Sequence, residues 1–278
     1  MTKVVILGGG FGGVGAALDL DKKLGRRKDV KITLIDRSSG QTFTPSLYEV
    51  ASIFDVDHQH PFHTKMRGAV CIPYGEIFSE TAVEIVEAEI AHINLEGRHV
   101  ATTGGNIFSF DYLVIALGSV VSTYGIPGVQ DYAYKFKTIE DGLILADKIE
   151  ELYSGRGRGE KSLPVKIILG GAGFTGVELA AELSNCVVHM VRRYKIVPQN
   201  CSSITLIEAG PAMLPAISEA ERGMIKNRLT QLGVNILENA PIAEVGPDFA
   251  RLKDGRKIEG DLIIWSAGVG ASELVKQI

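Results

Sequence analysis

Two short, nearly unbroken apolar runs, Val4–Leu7 and Val165–Leu169, each lead into a cluster of glycines. After each cluster comes an alanine- and leucine-rich stretch, 14–24 and 177–189. A run of this length with apolar residues at consecutive positions suits a strand buried on both faces of a parallel sheet, and the stretches that follow read as helices. The parallel goes further. Ile32-Thr33-Leu34-Ile35-Asp36 recurs as Ile204-Thr205-Leu206-Ile207-Glu208, and Leu113-Val114-Ile115-Ala116-Leu117-Gly118 recurs loosely as Leu262-Ile263-Ile264-Trp265-Ser266-Ala267-Gly268. Strand, glycine turn, helix, strand and acid therefore occur twice in one order, which predicts two similar domains built on βαβ units. Between them, Lys137–Tyr153 reads as a helix and Ser154–Lys161 as a solvated loop. Ala220–Leu232 is helical by pattern, and Asp254-Gly255 marks a hairpin turn.

Composition narrows the class of protein. With 278 residues, 45% of them apolar and 22% charged, the chain can bury the cores of two domains. A net charge of −4 argues against a nucleic-acid or anionic-membrane surface as the main partner, because either needs a concentrated basic field. The three cysteines, Cys71, Cys186 and Cys201, have no CxxC spacing, which leaves neither a disulfide framework nor a redox dithiol. No stretch approaches the roughly 18 apolar residues of a membrane span, so the expected location is the cytoplasm.

The glycines suit dinucleotide chemistry. Gly8, Gly10 and Gly13, and again Gly171, Gly173 and Gly176, stand between a strand and a helix. In that context the first glycine makes the sharp turn, the second admits a pyrophosphate close to the backbone, and the third lets helix and strand pack tightly. The free N–H groups and positive dipole end of each helix then face the phosphates. A glycine-rich turn without a ligand is the plain alternative for either copy alone. Asp36 and Glu208 end the second strand of each repeat, where a carboxylate accepts both hydroxyls of an adenosine ribose and a 2′-phosphate meets repulsion. They lie 28 and 37 residues after Gly8 and Gly171, beyond the usual figure of about 20, so each connection must be extended, the second through 192–203. The fold expected is α/β, with two Rossmann-like domains and parallel central sheets. Their ranges are 1–122 and 123–278, with a boundary near 119–135.

These phrases resemble the two-dinucleotide flavoproteins and, within them, the type II NADH dehydrogenases. The resemblance rests on Gly8–Gly13 with Asp36, on the run from Phe43 to Ala51 (FTPSLYEVA), on Tyr112–Ser119, on Gly171–Leu183, on Glu208-Ala209-Gly210-Pro211 and on Trp265-Ser266-Ala267-Gly268-Val269. It spans essentially the whole chain. It implies FAD in the first domain and NADH in the second. Implied cofactor contacts are Gly8, Gly10, Phe11, Gly13, Asp36, Arg37, Thr44, Ala116, Gly118, Gly171, Gly173, Phe174, Gly176, Glu178, Glu208, Ala267 and Gly268. Thr44, Pro45 and Tyr48 would lie beside the isoalloxazine, and Glu178 would approach the nicotinamide. A first-turn acid stabilising its helix dipole is the bland account of Glu178, and ordinary packing that of Tyr48. The family continues beyond the Trp-x-Ala-Gly-Val phrase. The expectation is therefore a first domain lacking its C-terminal return segment. Quinone use, attachment to the cytoplasmic face of a membrane and a homodimer would belong to a longer form.

Residues 37–52 hold no cysteine, unlike relatives that reduce disulfides through a thiol near the flavin. Direct hydride transfer from NADH to flavin, with electrons released to a quinone-type acceptor, is the activity implied. A ferredoxin- or rubredoxin-type reductase and a non-catalytic nucleotide-binding fragment are the alternatives. His58, His60 and His63, with Asp55, Asp57 and Cys71 nearby, lack a spacing that fixes ligand geometry, and no metal is expected. Arg192, Arg193 and Lys195 read as a solvated basic face. No GxSxG and no Walker lysine is present.

Overall fold

The computed structural model describes residues 1–52, 68, 70–194 and 201–278, with the backbone only for 186–193. The chain divides into two compact units: Met1–Phe43 with Thr64–Val120 and Gly270–Ile278, and Thr44–His63 with Val121–Val269.

The first unit is built on a parallel four-stranded sheet in the order Val83–Glu87, Val30–Asp36, Thr2–Leu7, Tyr112–Ile115. Because side chains alternate along a strand, its apolar run fills two cores at once. Val4 and Ile6 pack with Val14 and Ala17 of the Phe11–Leu24 helix, while Val5 and Leu7 pack with Ile93, Val100 and Phe110 on the opposite face. That second face is covered by an antiparallel meander, Ile90–Asn94, His99–Thr102 and Ile107–Ser109.

The second unit repeats the plan with one strand more. Its parallel sheet runs Tyr134–Lys135, Leu262–Trp265, Val165–Gly170, Ser202–Ile207, Val234–Leu237. A meander of Ile242–Gly246, Phe249–Leu252 and Lys257–Glu259 follows, with the expected turn at Gly255 (φ +91°). Each meander carries its register shift at the same place, between Ile90 and His92 and between Ile242 and Glu244. The duplication thus extends beyond the phrases visible in the sequence.

Two helices here are started by reciprocal caps. Thr138 accepts from the Asp141 amide while Asp141 accepts from the Thr138 amide, and Ser218 and Glu221 do the same. The first cap opens Ile139–Gly157, which corrects the expectation of a solvated loop from Ser154: the helix runs one turn further. Arg156 explains it. Its side chain is 4% exposed and turned inward to Asp261, with Nη2 2.6 Å from Oδ2, so an arginine-rich segment becomes part of the core. The Phe174–Arg193 helix likewise takes up part of the chain expected as filler before Ser202.

Candidate functional site

Each unit presents a glycine turn at the C-terminal end of its first strand, and the two turns agree bond by bond. Gly8 has φ +95° and Gly171 φ +103°, conformations costly for any residue with a Cβ. The Gly8 amide donates to the Ile35 carbonyl at 2.8 Å, and the Gly171 amide to Ile207 at 2.8 Å. A Cβ at Gly13 would collide with the Gly8 carbonyl oxygen, and one at Gly176 with that of Gly171. These contacts hold each helix start against its strand. At Gly10 and Gly173, by contrast, an added Cβ meets nothing within 4 Å. The middle glycine faces open space, as a cradle for an approaching phosphate requires.

The helix starts supply the donors. The first intrahelical bonds are Val14 to Gly10 at 2.9 Å and Val177 to Gly173 at 3.0 Å, so the preceding turn has no helical acceptor for its amides. Gly10, the N-cap of its helix, offers no side chain to satisfy them. Phe11 and Phe174, the residues after the middle glycines, are exposed.

The two acids sit in matching frames. Asp36 Oδ2 accepts from the Gly9 amide at 2.6 Å and Oδ1 from Ser38 at 2.7 Å. Glu208 Oε2 accepts from the Ala172 amide at 2.9 Å and Oε1 from Gly210 at 2.8 Å. Each carboxylate is therefore aimed by backbone donors, one of them from the glycine turn itself. Both are only half-buried, and each oxygen keeps lone-pair capacity for a ribose hydroxyl. Arg37 beside Asp36 is exposed.

The phrases after the third repeated strand close the turns from the far side. The Ala116 amide donates to Leu7 at 2.8 Å and the Ser266 amide to Gly170 at 2.9 Å. The Ala116 carbonyl lies against Gly8, and Ala267 against Gly171. Gly118 (φ +67°) and Gly268 (φ +83°) then turn the chain away. In the second unit these parts line a cleft of about 480 Å³ that takes in Gly171, Gly173, Glu208, Ala267 and Gly268. Tyr124, Pro241 and Lys253 also line it, and sequence reasoning passed over all three. So it did Ser266, whose hydroxyl reaches the carbonyls of Gly170 and Gly171 at 3.1 Å each.

Thr44, Pro45, Tyr48 and Glu178 all belong to the second unit. Thr44 and Pro45 are exposed in a single 3-10 turn. The Leu47–Ser52 helix packs on two longer helices: Val50 lies over Gly142, and the Ser52 hydroxyl donates to Glu182 Oε1 at 3.1 Å. Burial, then the charges of Glu49, Glu178 and Glu182, pushes the Tyr48 phenol up. Desolvation raises Glu178 as well, which favours its protonated form.

In the first unit the turn has a further buried partner. The Tyr74 hydroxyl donates to the Gly9 carbonyl at 2.9 Å. Burial above all, then the charges of Asp36 and Cys71, holds the phenol far above its ordinary range, so it remains a donor. His58, His60, His63, Asp55 and Asp57 lie outside the described residues. Among the described residues no group of three or more His, Cys, Asp or Glu is arranged for a metal ion, and no helix is long and apolar enough to cross a membrane.

Comparison with known proteins gives a consistent result. A family model described as pyridine nucleotide-disulphide oxidoreductase matches residues 2–278. The chain is 31% identical over 304 residues to a type II NADH:quinone oxidoreductase of Haemophilus influenzae, an alignment covering 100% of this chain and 66% of the relative. It is 30% identical over 282 residues to one of Staphylococcus saprophyticus, covering 99% and 66%. Among solved structures, NDH2 from Plasmodium falciparum in complex with NADH superposes with a TM-score of 0.86 at 24% identity, over 100% of this chain and 57% of that one. The sulfide:quinone oxidoreductase of Aquifex aeolicus gives 0.77 at 19%, over 99% and 61%. The chain thus spans about 66% of the length of the curated relatives it matches, and the structural likenesses speak to its Rossmann-like α/β fold.

Proposed function

The chain belongs to the pyridine nucleotide-disulphide oxidoreductase family, and on that premise we propose that its two units bind FAD and NADH in service of an NADH:quinone oxidoreductase activity. The observation that carries this reading is the repeated frame in which one carboxylate and one glycine turn share a hydrogen bond, Asp36 to Gly9 and Glu208 to Ala172. A dinucleotide offers both a ribose diol and a diphosphate, and each frame presents a half-buried carboxylate beside unpaired helix-start amides.

In this assignment Gly8, Gly10, Phe11, Gly13, Asp36, Arg37, Ala116 and Gly118 would hold FAD, which when bound accepts a hydride from the nicotinamide. Gly171, Gly173, Phe174, Gly176, Glu208, Ala267 and Gly268 hold NADH, with its diphosphate at the open face of Gly173 and its ribose on Glu208. The fit is supported by the space at Gly10 and Gly173, where a side chain would stand in the way of a phosphate. Glu208 selects NADH, because a 2′-phosphate would bring negative charge against its carboxylate. Glu178, raised by desolvation, and Tyr48 are assigned to the reacting end with Thr44 and Pro45. The two relatives named as NADH:quinone oxidoreductases support a quinone as the final acceptor.

The test is anaerobic. FAD-loaded protein mixed with NADH should lose its flavin absorbance near ~450 nm, a wavelength set by the isoalloxazine. Retention of the full absorbance with NADH bound would overturn the assignment.

A further inference from the structure

We propose that Tyr74 is the positioning residue of the first glycine turn, fixing the direction of the Gly10 amide for the diphosphate. This rests on reading that turn as the FAD site. Tyr74 is 2% exposed and its ring belongs to the core formed with Val4, Ile6 and Phe78. Only the hydroxyl leaves that core, to donate to the Gly9 carbonyl at 2.9 Å.

The consequence follows from peptide geometry. The bond between Gly9 and Gly10 is trans, so its carbonyl and its N–H point in opposite directions from one rigid plane. A carbonyl tied inward to Tyr74 therefore turns the Gly10 N–H outward, at the residue whose surroundings are open. Without that tie the flanking glycines would permit the plane to rotate, and the donor would be lost to the phosphate at the cost of reorganisation.

The second unit carries the independent support. Ala172 stands where Gly9 stands, and its carbonyl is held too, by the Leu214 amide at 2.9 Å. The same oxygen is pinned in both copies, by a main-chain donor in one and by a side-chain hydroxyl in the other. The substitution at the turn agrees. Ala172 is 0% exposed and has room for its methyl, whereas a Cβ at Gly9 would overlap the Tyr74 hydroxyl. Gly9 and Tyr74 form a matched pair for which the second unit has no need.

Tyr74→Phe keeps the ring and removes the tie. FAD affinity of the apoprotein, followed by quenching of flavin fluorescence, should fall about fivefold to tenfold, the loss of one buried hydrogen bond. NADH affinity, followed by its own fluorescence, should not change, because the second turn has its own donor. Equal FAD affinity in wild type and variant would overturn the inference while leaving the FAD reading intact. A wild-type chain that binds no FAD would remove the reading and the inference together. The Gly10 amide of the wild-type chain gives a check that needs no variant. Its hydrogen exchange should be fast without FAD and slowed with it, and an amide already protected in the apoprotein would contradict the proposed orientation.

Discussion

Replacing Gly173 by alanine separates ligand binding from folding. Gly173 does not have the left-handed φ of Gly171, and its added methyl meets nothing within 4 Å. Alanine there limits the unfolded chain without straining the folded one, which stabilises a protein by about 0.4–1 kcal/mol, or about 1–4 °C in melting temperature at this size. In the proposed assignment the same methyl would stand where the diphosphate of NADH approaches. Displacing the phosphate by the radius of a methyl breaks one charge-assisted hydrogen bond to a helix-start amide, about 1.5–3 kcal/mol, or about 10- to 150-fold in affinity. Gly176→Ala is the contrasting variant. Its Cβ lands on the Gly171 carbonyl and within 2.8 Å of the Ser266 hydroxyl, so the helix must retreat, and both stability and affinity should fall. Thermal unfolding and an NADH fluorescence titration on the three proteins decide the matter. A Gly173→Ala protein that melts no lower than wild type and still binds NADH equally well would refute the placement of the diphosphate.

Further consequences can be checked separately. Glu208→Gln keeps the size of the side chain but turns an NH₂ group toward one of its two amide donors, so NADH affinity should drop about tenfold while the preference over NADPH shrinks; paired titrations would show it, and an unchanged preference would remove Glu208 from the ribose site. Burial opposes ionisation of Asp261, but the Lys166 amide, Arg156 and Lys161 outweigh it and hold the carboxyl below its ordinary value. A depressed folded pKa gives stability that is present above the unfolded value of about 3.9 and is lost as pH falls through the folded one. Asp261→Asn should therefore flatten the acid limb of the stability profile, and at neutral pH cost about 3 kcal/mol or more by leaving Arg156 buried without its counter-ion. An acid limb as steep in the variant as in wild type would count against that pairing. Glu178→Gln should preserve NADH affinity yet change the pH dependence of NADH oxidation if the carboxyl serves the reacting end, whereas a mere helix-end acid would leave the profile alone.

Much of the fold was legible because buried parallel strands write themselves as short apolar runs, and because the same runs appear twice before glycines and acids. The glycine turns and the acids Asp36 and Glu208 could be picked out from their repeated order of strand, turn, helix, strand and acid, and their geometry is local: strand end, turn and first helical turn. What escaped depends on distant partners. Tyr74 reaches Gly9 from 65 residues away, and nothing around it in the sequence marks it as more than a core aromatic. Leu214 supports Ala172 through its main chain, which no side chain advertises. Arg156 looked solvated beside Gly155 and Gly157, yet Asp261, 105 residues on, draws it inward. Apart from the Asp254-Gly255 turn, the meanders were missed because strands of three to five residues, short enough to resemble loops, carry too little alternation to read.

The central claim, one dinucleotide for each glycine turn, is tested most directly by equilibrium dialysis with FAD and NAD⁺ present together. Binding of one equivalent of each, with neither displacing the other and with Gly10→Ala losing only FAD and Gly173→Ala only NAD⁺, is the predicted result. A single site for which the two nucleotides compete, or a loss of both from either substitution, would contradict it.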